Sequence, residues 1–338
     1  MLDIDGSSGG GAVVRVALGL SIATRTPVRI DGIRAARPET GLKHQHLAAV
    51  RACRDLAGAD VDGAEIGART LTFEPGTTIS DSVTADIPTA GSVGLLLQPL
   101  WIAAAAADHP VSVRVDGGGT AGKWAPPVHY LEHVAFPLLD RSGHPATVDV
   151  RRHGFYPDGG ALVHAGFGPP DLDRIVLAEQ GDVTAVDGVS LASPHLADAD
   201  VADRQRTAAR RALKDAHPSL DVDIATRTVD AASPGSSILL WTDTGGTILG
   251  GDAVGERGTP AEEVGEQAAS MLLDAVDSGA AVDRAMADMV VPFLGLAGGT
   301  VAIPGATDHV EATVQVANRF PGVDVSRDGD RLAADGRM

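Results

Sequence analysis

Residues 33–54 form a basic segment in an otherwise acidic chain. Against a single acid, Glu39, the segment carries five cations and two histidines, His44 and His46. The cations are Arg34, Arg37, Lys43, Arg51 and Arg54. Because the whole chain has a formal net charge of -18 at pH 7, positive charge concentrated here predicts an anionic ligand. The planar guanidinium group of arginine can donate two parallel hydrogen bonds to a phosphate group. The alternative is a helix whose arginines pair with carboxylates elsewhere on the surface.

Two glycine-rich stretches could bring the backbone close to a ligand. Residues 4–15, IDGSSGGGAVVR, run into a predicted helix that carries Arg15 and whose N-terminus favours an anion. An ordinary strand-to-helix turn explains these glycines equally well. Residues 117–124, GGGTAGKW, nearly match a phosphate-binding P-loop, but Trp124 replaces the hydroxyl that would hold Mg²⁺. With Pro126 and Pro127 following, this stretch is predicted to shape a pocket wall.

His309 is the candidate nucleophile. It lies next to Asp308 in the first turn of a predicted helix, 307–319. A neutral imidazole there could attack an electrophile, and the neighbouring carboxylate could support it, although spacing alone favours a capping or surface histidine. His153 is predicted to be a structural histidine in a hairpin. No HExxH motif or GxSxG elbow is present, and we predict no zinc site.

Composition limits the class of protein. The 338 residues are 44% hydrophobic, enough for a large core, and contain 45 acids against 27 bases, of which three are lysines. An acid-rich, lysine-poor chain of this kind suggests an archaeal protein with a surface adapted to high salt, and it disfavours broad binding to a nucleic-acid backbone. Cys53 is the only cysteine, so no disulfide framework is expected. Without a leader or a membrane-spanning apolar run, we expect a soluble, cytoplasmic protein.

The hydrophobic pattern repeats three times as helix, strand, helix and hairpin. The predicted helices and strands are 9–24, 27–33, 41–57, 60–66 and 69–74; then 91–107, 110–115, 126–139, 146–153 and 160–167; then 283–295, 299–303, 307–319 and a hairpin over 321–335. Between the second and third units, residues 181–262 read as an inserted small α/β domain, so that 1–180 and 263–338 form one large α+β domain. The basic side chains of the predicted helix 197–216 are expected to pair with acids of the chain rather than with nucleic acid.

Several stretches together resemble the RNA 3′-terminal phosphate cyclase family. They are the opening DGSSGGG…R, RAARPETGLKHQHLAAV, TAGSVGLLLQ, GGGTAGKWAPP, RHGFYPDGG, GERGTPAEEVG and ADMVVP, in the family's order. Only the insert, 181–250, is poorly matched. The resemblance implies three repeated βαβαββ units with an inserted smaller domain.

The resemblance also implies a reaction. With ATP and a divalent metal, Mg²⁺ or Mn²⁺, the family converts an RNA 3′-phosphate end into a 2′,3′-cyclic phosphate through a histidinyl-AMP, for which His309 matches the nucleophile. The residues that match the nucleotide site are Arg15, Gln98, Pro126, Pro127 and Asp288. Those that match the site for the substrate phosphate are Arg34, Arg37, Gln45 and His46.

The chain departs from the family at two informative places. The first glycine loop has Gly10 and Ala12 where the family usually carries a glutamate associated with the metal, so the metal ligands stay unassigned. Ala285 stands where an aromatic ring can stack on adenine. One alternative function is that of a non-catalytic relative that binds RNA in ribosomal RNA processing, but those relatives lack the histidine. Another is an enolpyruvyl transferase, against which RHGFYPDGG argues.

Overall fold

Three four-stranded sheets share one strand order in the computed structural model, which describes residues 1–7 and 9–336. In each sheet the first two strands in sequence are parallel, the fourth pairs antiparallel to the second, and the third lies outside the fourth. Helices join the first strand to the second and the second to the hairpin. The α+β architecture of three βαβαββ units is therefore confirmed.

The elements of each unit follow in chain order. The first contains β1 (Leu2–Asp5), α1 (Gly10–Ala23), β2 (Val28–Asp31), α2 (His44–Ala57), β3 (Asp60–Asp62) and β4 (Leu71–Glu74). The second contains β5 (Ser82–Ser92), α3 (Val93–Ala103), β6 (Val111–Gly119), α4 (Val128–Tyr130), a π-helical turn (Leu131–Ala135), α5 (Phe136–Asp140), β7 (Ala146–Arg152) and β8 (Leu162–Phe167). The third contains β9 (Ile175–Leu177), then, after the insert, α8 (Arg284–Met289), α9 (Val291–Ala297), β14 (Gly299–Ala302), α10 (Asp308–Ala317), β15 (Val325–Asp328) and β16 (Arg331–Ala334).

The hydrophobic pattern alone did not reveal the first strand of any of the three units. In β5 buried and exposed residues alternate, as a half-buried strand requires, but its C-terminal end lay inside the predicted helix 91–107. That helix begins at Val93 because the Ser92 hydroxyl accepts the Leu95 N–H. Strand β9 has three residues, too few for a periodic signal, and it pairs with β14 from across the insert.

The insert folds around a sheet of its own. Its elements are β10 (Ala185–Ala192), α6 (Val201–Ala216), β11 (Asp221–Thr228), β12 (Ser236–Asp243), β13 (Ile248–Val254) and α7 (Ala261–Asp277). Helix α7 packs on α6 and β13, and its apolar face joins the core of the insert rather than the main core. This packing supports a boundary near residue 277, beyond the predicted end at residue 262. The division into domains itself stays a proposal.

The basic side chains of α6 pair within the protein, as predicted. Arg204 binds Glu262 through two hydrogen bonds of 2.8 Å. Arg206 and Arg211 form ion pairs with Asp203 and Glu266. These arginines are therefore paired with carboxylates of α6 and α7.

The main core lies where the helices of the three units meet. Helix α1 packs on α2, α3 and α10, and it is buried nearly all round because its residues are almost all apolar. Trp101 of α3 joins the units through Phe136 and Phe293, whose ring centroids lie 4.6 and 4.4 Å away. Among the described residues, no helix combines the length and apolar character that crossing a membrane requires.

Candidate active site

A pocket of about 1120 Å³ opens between the insert and the large domain. One wall is the loop 122–126, which the glycines and prolines predicted to shape a pocket. The facing wall comes from β13 and α7, and α8 and the loop 304–307 complete the lining. Lys123 joins the first two walls through a 2.9 Å ion pair with Glu256. Lys123 is the lysine of the stretch that nearly matches a P-loop, and here it is paired with a carboxylate.

His309 lies at this pocket, at the second residue of α10. The helix begins there because the Thr307 hydroxyl accepts the Val310 N–H at 3.2 Å. Val310 is buried and anchors the first turn, whereas the His309 ring is exposed. The geometry therefore presents an imidazole to the pocket from a fixed backbone.

Asp288 connects His309 to the cations of the first unit. This half-buried carboxylate of α8 also lines the pocket. Burial raises its pKa, while the charges of His309 and then Arg15 act in the opposite direction. For Arg15, burial lowers the pKa to about 10, and Asp288 again opposes the shift. The three side chains thus share one electrostatic neighbourhood, in which Arg15 stays charged at neutral pH.

Arg15 is held by Gln98 and lies beside His46. Its Nε donates a 2.9 Å hydrogen bond to Gln98 Oε1, which fixes the guanidinium fork. A methyl group on Gly11 would come within 2.4 Å of His46 Nε2 and 3.1 Å of Arg15 Nη1. Only glycine permits this approach of backbone to both side chains, so the start of α1 is lined by an arginine and an imidazole.

His46 is a neutral hydrogen-bond donor. Burial, followed by the charges of Arg15, Arg34 and Lys43, lowers its pKa to about 3. Its Nδ1 accepts the Lys43 backbone N–H at 3.1 Å, and that nitrogen must therefore carry the lone pair. The proton then lies on Nε2, which faces the glycine turn. A neutral N–H next to arginines is suited to an anionic oxygen.

The remaining predicted site residues lie at different distances from Arg15 and His46. Arg37 is exposed and lies against Gly10, with its Nη2 3.3 Å from the position that a methyl group would take. Arg34 is half-buried and donates to the Gly41 carbonyl at 3.3 Å. Gln45 Oε1 accepts the Ser92 N–H at 3.2 Å.

The two predicted prolines differ in position. Pro127 is buried before α4, and of the two only Pro126 lines the pocket.

Sequence reasoning missed the acids that the insert and its neighbours bring to the pocket. Asp252 of β13 lines it, and burial, helped by the charge of Asp283, raises the pKa of Asp252 to about 7. Asp283 caps α8 and accepts the Tyr130 hydroxyl at 2.7 Å and the Gly250 N–H at 2.8 Å. It therefore joins the second unit, the insert and α8 under the pocket. The stretch GERGTPAEEVG, matched by the resemblance, was the available signal that the insert takes part.

Three repeated βαβαββ units, with a further four-stranded sheet inserted in the third, define the class of α+β protein to which the chain belongs. Residues 7–326 match the family described as RNA 3′-terminal phosphate cyclase, and the chain belongs to that family.

Curated relatives agree over nearly the full length. A protein of Methanopyrus kandleri named RNA 3′-terminal phosphate cyclase is 40% identical over 96% of this chain and 94% of its own length. Proteins of the same name from Pyrococcus abyssi and Methanothermobacter thermautotrophicus are 39% and 40% identical. They align over 98% of this chain and over 96% and 97% of their own lengths.

Proposed function

We propose that the protein is an RNA 3′-terminal phosphate cyclase, a ligase that uses ATP to convert an RNA 3′-phosphate into a 2′,3′-cyclic phosphate. The observation that carries the proposal is the exposed His309, held at a helix start in the pocket beside Asp288. The rival non-catalytic relatives lack this histidine.

The reaction has three displacements at phosphorus. A ring nitrogen of His309 attacks the α-phosphorus of ATP, and pyrophosphate leaves as the N–P bond forms. The RNA 3′-phosphate then attacks the same phosphorus, which returns the histidine and yields an RNA capped with AMP through a phosphoanhydride. Finally the ribose 2′-OH loses its proton and attacks the terminal phosphorus of the RNA, and AMP leaves as the ring closes.

The residues of the chain would act mainly by placing positive charge and donors where negative charge develops. Arg15, fixed by Gln98, is proposed to bind the phosphates of the nucleotide, and Asp288 to orient His309 and balance its charge after attack. His46 is proposed to donate Nε2–H to the terminal phosphate of the RNA. Arg34 and Arg37 extend the same cationic surface to the incoming end.

Gln45 and the prolines are given supporting roles in this proposal. Gln45 would hold the first turn of α2 against Ser92, to whose N–H it is bound, and so keep His46 in place. Pro126 would form the wall near the adenine, with the buried Pro127 fixing the loop behind it.

A divalent metal, Mg²⁺ or Mn²⁺, fits this pocket only as an ion carried largely by the triphosphate. Among the described residues, the groups of three ligands close enough to chelate an ion do not include any in the pocket. Mg²⁺ often binds through one or two carboxylates together with substrate phosphates. Asp288 would supply such a carboxylate, and the ion would neutralise phosphate charge.

We also propose that the protein works in the cytoplasm at high salt. Acids outnumber bases by 45 to 27, and lysine is almost absent. A carboxylate-rich shell holds water and keeps a protein soluble. The adenylylation experiment is therefore designed at molar salt, with the same assay repeated at low salt.

The test is transfer of label from α-labelled ATP to the protein. Purified protein, ATP and Mg²⁺ or Mn²⁺ should give acid-labile label on the denatured chain, which 3′-phosphate RNA discharges and 3′-hydroxyl RNA does not. His309→Ala should give none, whereas His195→Ala, which changes an exposed histidine of the insert, should label normally. Absence of label from folded wild-type protein with either metal would overturn the proposal and favour an RNA-binding relative without catalysis.

A further inference from the structure

Two exposed aromatic side chains, Trp124 and Tyr156, stand out in a chain that is poor in aromatic residues. Phenylalanine, tryptophan and tyrosine together make up 3% of the sequence. Within residues 1–7 and 9–336, every other aromatic side chain is buried or half-buried, whereas Trp124 is 87% exposed and Tyr156 is 82% exposed. A single exposed ring needs no explanation, but these two share one edge of the second unit.

Trp124 and Tyr156 lie in loops that leave the same edge of the sheet. Strands β6 and β7 both pair antiparallel with β8, so they run in the same direction and end at the same edge. Trp124 is in the loop after β6, and Tyr156 is in the loop after β7. The loops are also bonded to each other, since the Thr120 N–H donates to the Gly154 carbonyl at 2.8 Å and the Gly154 N–H donates to the Thr120 hydroxyl at 3.3 Å. The two rings therefore belong to neighbouring loops at one edge.

The backbone beside Tyr156 is fixed on both sides. Phe155 is 2% exposed and packs with Ala231 of the insert in a small apolar cluster. On the other side, the Asp158 carboxylate accepts the Ser233 hydroxyl at 2.8 Å. These contacts hold the loop while the Tyr156 ring stays in solvent. A ring presented by an ordered backbone loses little conformational entropy when a ligand binds it.

The same edge adjoins the residues proposed to hold the phosphate of the RNA. Strand β5 runs parallel to β6 and ends at this edge, where Ser92 is paired with Gly119. The Ser92 N–H donates to Gln45 Oε1 at 3.2 Å, and the next residue is His46, the proposed donor to the terminal phosphate. The edge is therefore continuous with the proposed phosphate site, and an RNA whose 3′ end is bound there would lead onto it.

We propose that Trp124 and Tyr156 form a stacking surface for the unpaired bases that precede the 3′-phosphate of the RNA. The inference rests on the proposed function, which makes such an RNA end the substrate. Exposed aromatic rings bind single-stranded nucleic acid by stacking on its bases, largely without regard to sequence. Among the described residues, Trp124 lines the pocket and Tyr156 does not. Trp124 would therefore contact the base nearest the 3′ end, and Tyr156 a base further along the strand.

Stacking suits this edge because cations beside the two rings are paired with acids. Lys123 forms an ion pair with Glu256, and Arg151 forms one with Asp149. Contacts with phosphate weaken as salt screens charge, whereas the stacking of uncharged rings is not screened in this way. The affinity that the two rings contribute should therefore persist at the molar salt proposed for this protein.

The experiment is a binding titration of the full-length chain, without ATP, with 3′-phosphate oligouridines from the dinucleotide to the decanucleotide, at low and at molar salt. Trp124→Ala should weaken the binding of every length, and Tyr156→Ala only that of the longer strands, each by about 5- to 100-fold at either salt concentration. Trp124→Phe and Tyr156→Phe should retain most of the affinity. Val176→Ala, which changes an exposed side chain of β9, should bind as the wild type does.

Two further measurements test for stacking itself. A decanucleotide of the same charge, with an abasic ribose in place of every nucleoside, should bind the wild type and both alanine variants equally. RNA should also quench the fluorescence of Trp124, the exposed one of the three tryptophans, and Trp124→Phe should abolish that change.

Tight binding of RNA by both alanine variants would overturn the proposal, and so would an equal loss of affinity for the abasic strand. If Trp124→Ala instead raised the KM for ATP in the labelling of His309 and left RNA binding intact, Trp124 would belong to the adenine site, and its assignment to RNA would be wrong. Circular dichroism shows whether each variant is folded. Because RNA binding is measured without ATP, failure of labelling would overturn the cyclase proposal alone, and failure of these binding differences would overturn the stacking surface alone.

Discussion

The helices that precede the hairpin in the first and third units, α2 and α10, begin with histidines in opposite surroundings. His46 of α2 is 6% exposed, and burial with nearby cations lowers its pKa to about 3. His309 of α10 is exposed and has the Asp288 carboxylate as its neighbour. A repeated fold therefore places the same residue type at equivalent helix starts, and the surrounding charge and burial decide its state: a buried neutral ring in one unit, and in the other an exposed ring that we propose as the nucleophile.

The largest effect is expected from removing Arg15, the cation whose charge acts on both His46 and Asp288. Arg15→Met keeps much of the side-chain length but loses the charge and the hydrogen bond to Gln98. We expect cyclisation to fall by about 10²–10³-fold, as when one fixed electrostatic donor is removed from an active site. The His46 pKa should rise as well, because the Arg15 charge is one of the causes that lower it.

Steady-state kinetics with 3′-phosphate RNA and NMR titration of the His46 ring would measure the two effects. Arg206→Met, which removes an arginine paired with Asp203 on α6, is the matched control and should change neither. If Arg15→Met retained full activity, Arg15 would have no role in binding phosphate.

A second substitution separates the two histidines by reaction step. His46→Ala should lower cyclisation about 10–10²-fold while labelling of His309 by ATP continues, because the proposed Nε2–H donor acts on the RNA phosphate. The ratio of wild-type to variant rates should be flat between pH 5 and 8, since His46 stays neutral over that range with a pKa of about 3. His44→Ala, two residues earlier and exposed, is the control. Equal loss of labelling and of cyclisation would place His46 with the nucleotide instead.

The periodic parts of the fold could be predicted from the sequence. Helices such as 41–57 and the hairpins show strong hydrophobic periodicity, and the structure confirms them as α2 and the strand pairs. The short β9 could not be found, because its pairing with β14 depends on contacts made across the insert. The packing of α7 on β13 rather than on the main core could not be predicted either, because it is decided by tertiary contacts, and the boundary of the insert at residue 262 stays a prediction.

The site was predictable to a different degree. Spacing alone favoured a capping or surface role for His309, and the resemblance led to His309, Asp288 and Pro126, which the structure places at the same pocket. The state of His46 could not be predicted, because its low pKa arises from burial and from three cations brought together by the fold. Asp252 lacked any local signal, since its environment is created when β13 meets α8.

Asp252 shows that the surroundings also decide the protonation state of a carboxylate in this site. Its pKa is raised from 3.8 to about 7, first by burial and then by Asp283, so the folded state binds a proton that the unfolded state has released. Its contribution to stability is therefore fully present below about pH 4 and is lost as pH rises to 7. Asp252→Asn should raise the free energy of unfolding at pH 8 by roughly 1–3 kcal/mol relative to wild type, with little difference at pH 3.5.

Urea denaturation of the wild type and of Asp252→Asn between pH 3.5 and pH 8 would test the sign of the predicted difference in the free energy of unfolding. Asp274→Asn removes another carboxylate that lines the same pocket, and it is the control that shows whether the effect is specific to Asp252. A stability difference that grows toward low pH instead would show that the Asp252 carboxylate is stabilised by the fold.

The smallest expected effect comes from the cap that positions His309. Thr307→Ala removes the hydroxyl that accepts the Val310 N–H, and we expect a loss of about 1 kcal/mol in the free energy of unfolding. Ser92→Ala removes the equivalent cap of α3, where the hydroxyl accepts the Leu95 N–H at the same 3.2 Å, and should cost a similar amount. Only Thr307→Ala should also slow labelling by ATP, by a few-fold, because only that cap sets the backbone of the nucleophile. Equal labelling rates in the two variants would mean that Val310 and the packing of α10 hold His309 in place without the cap.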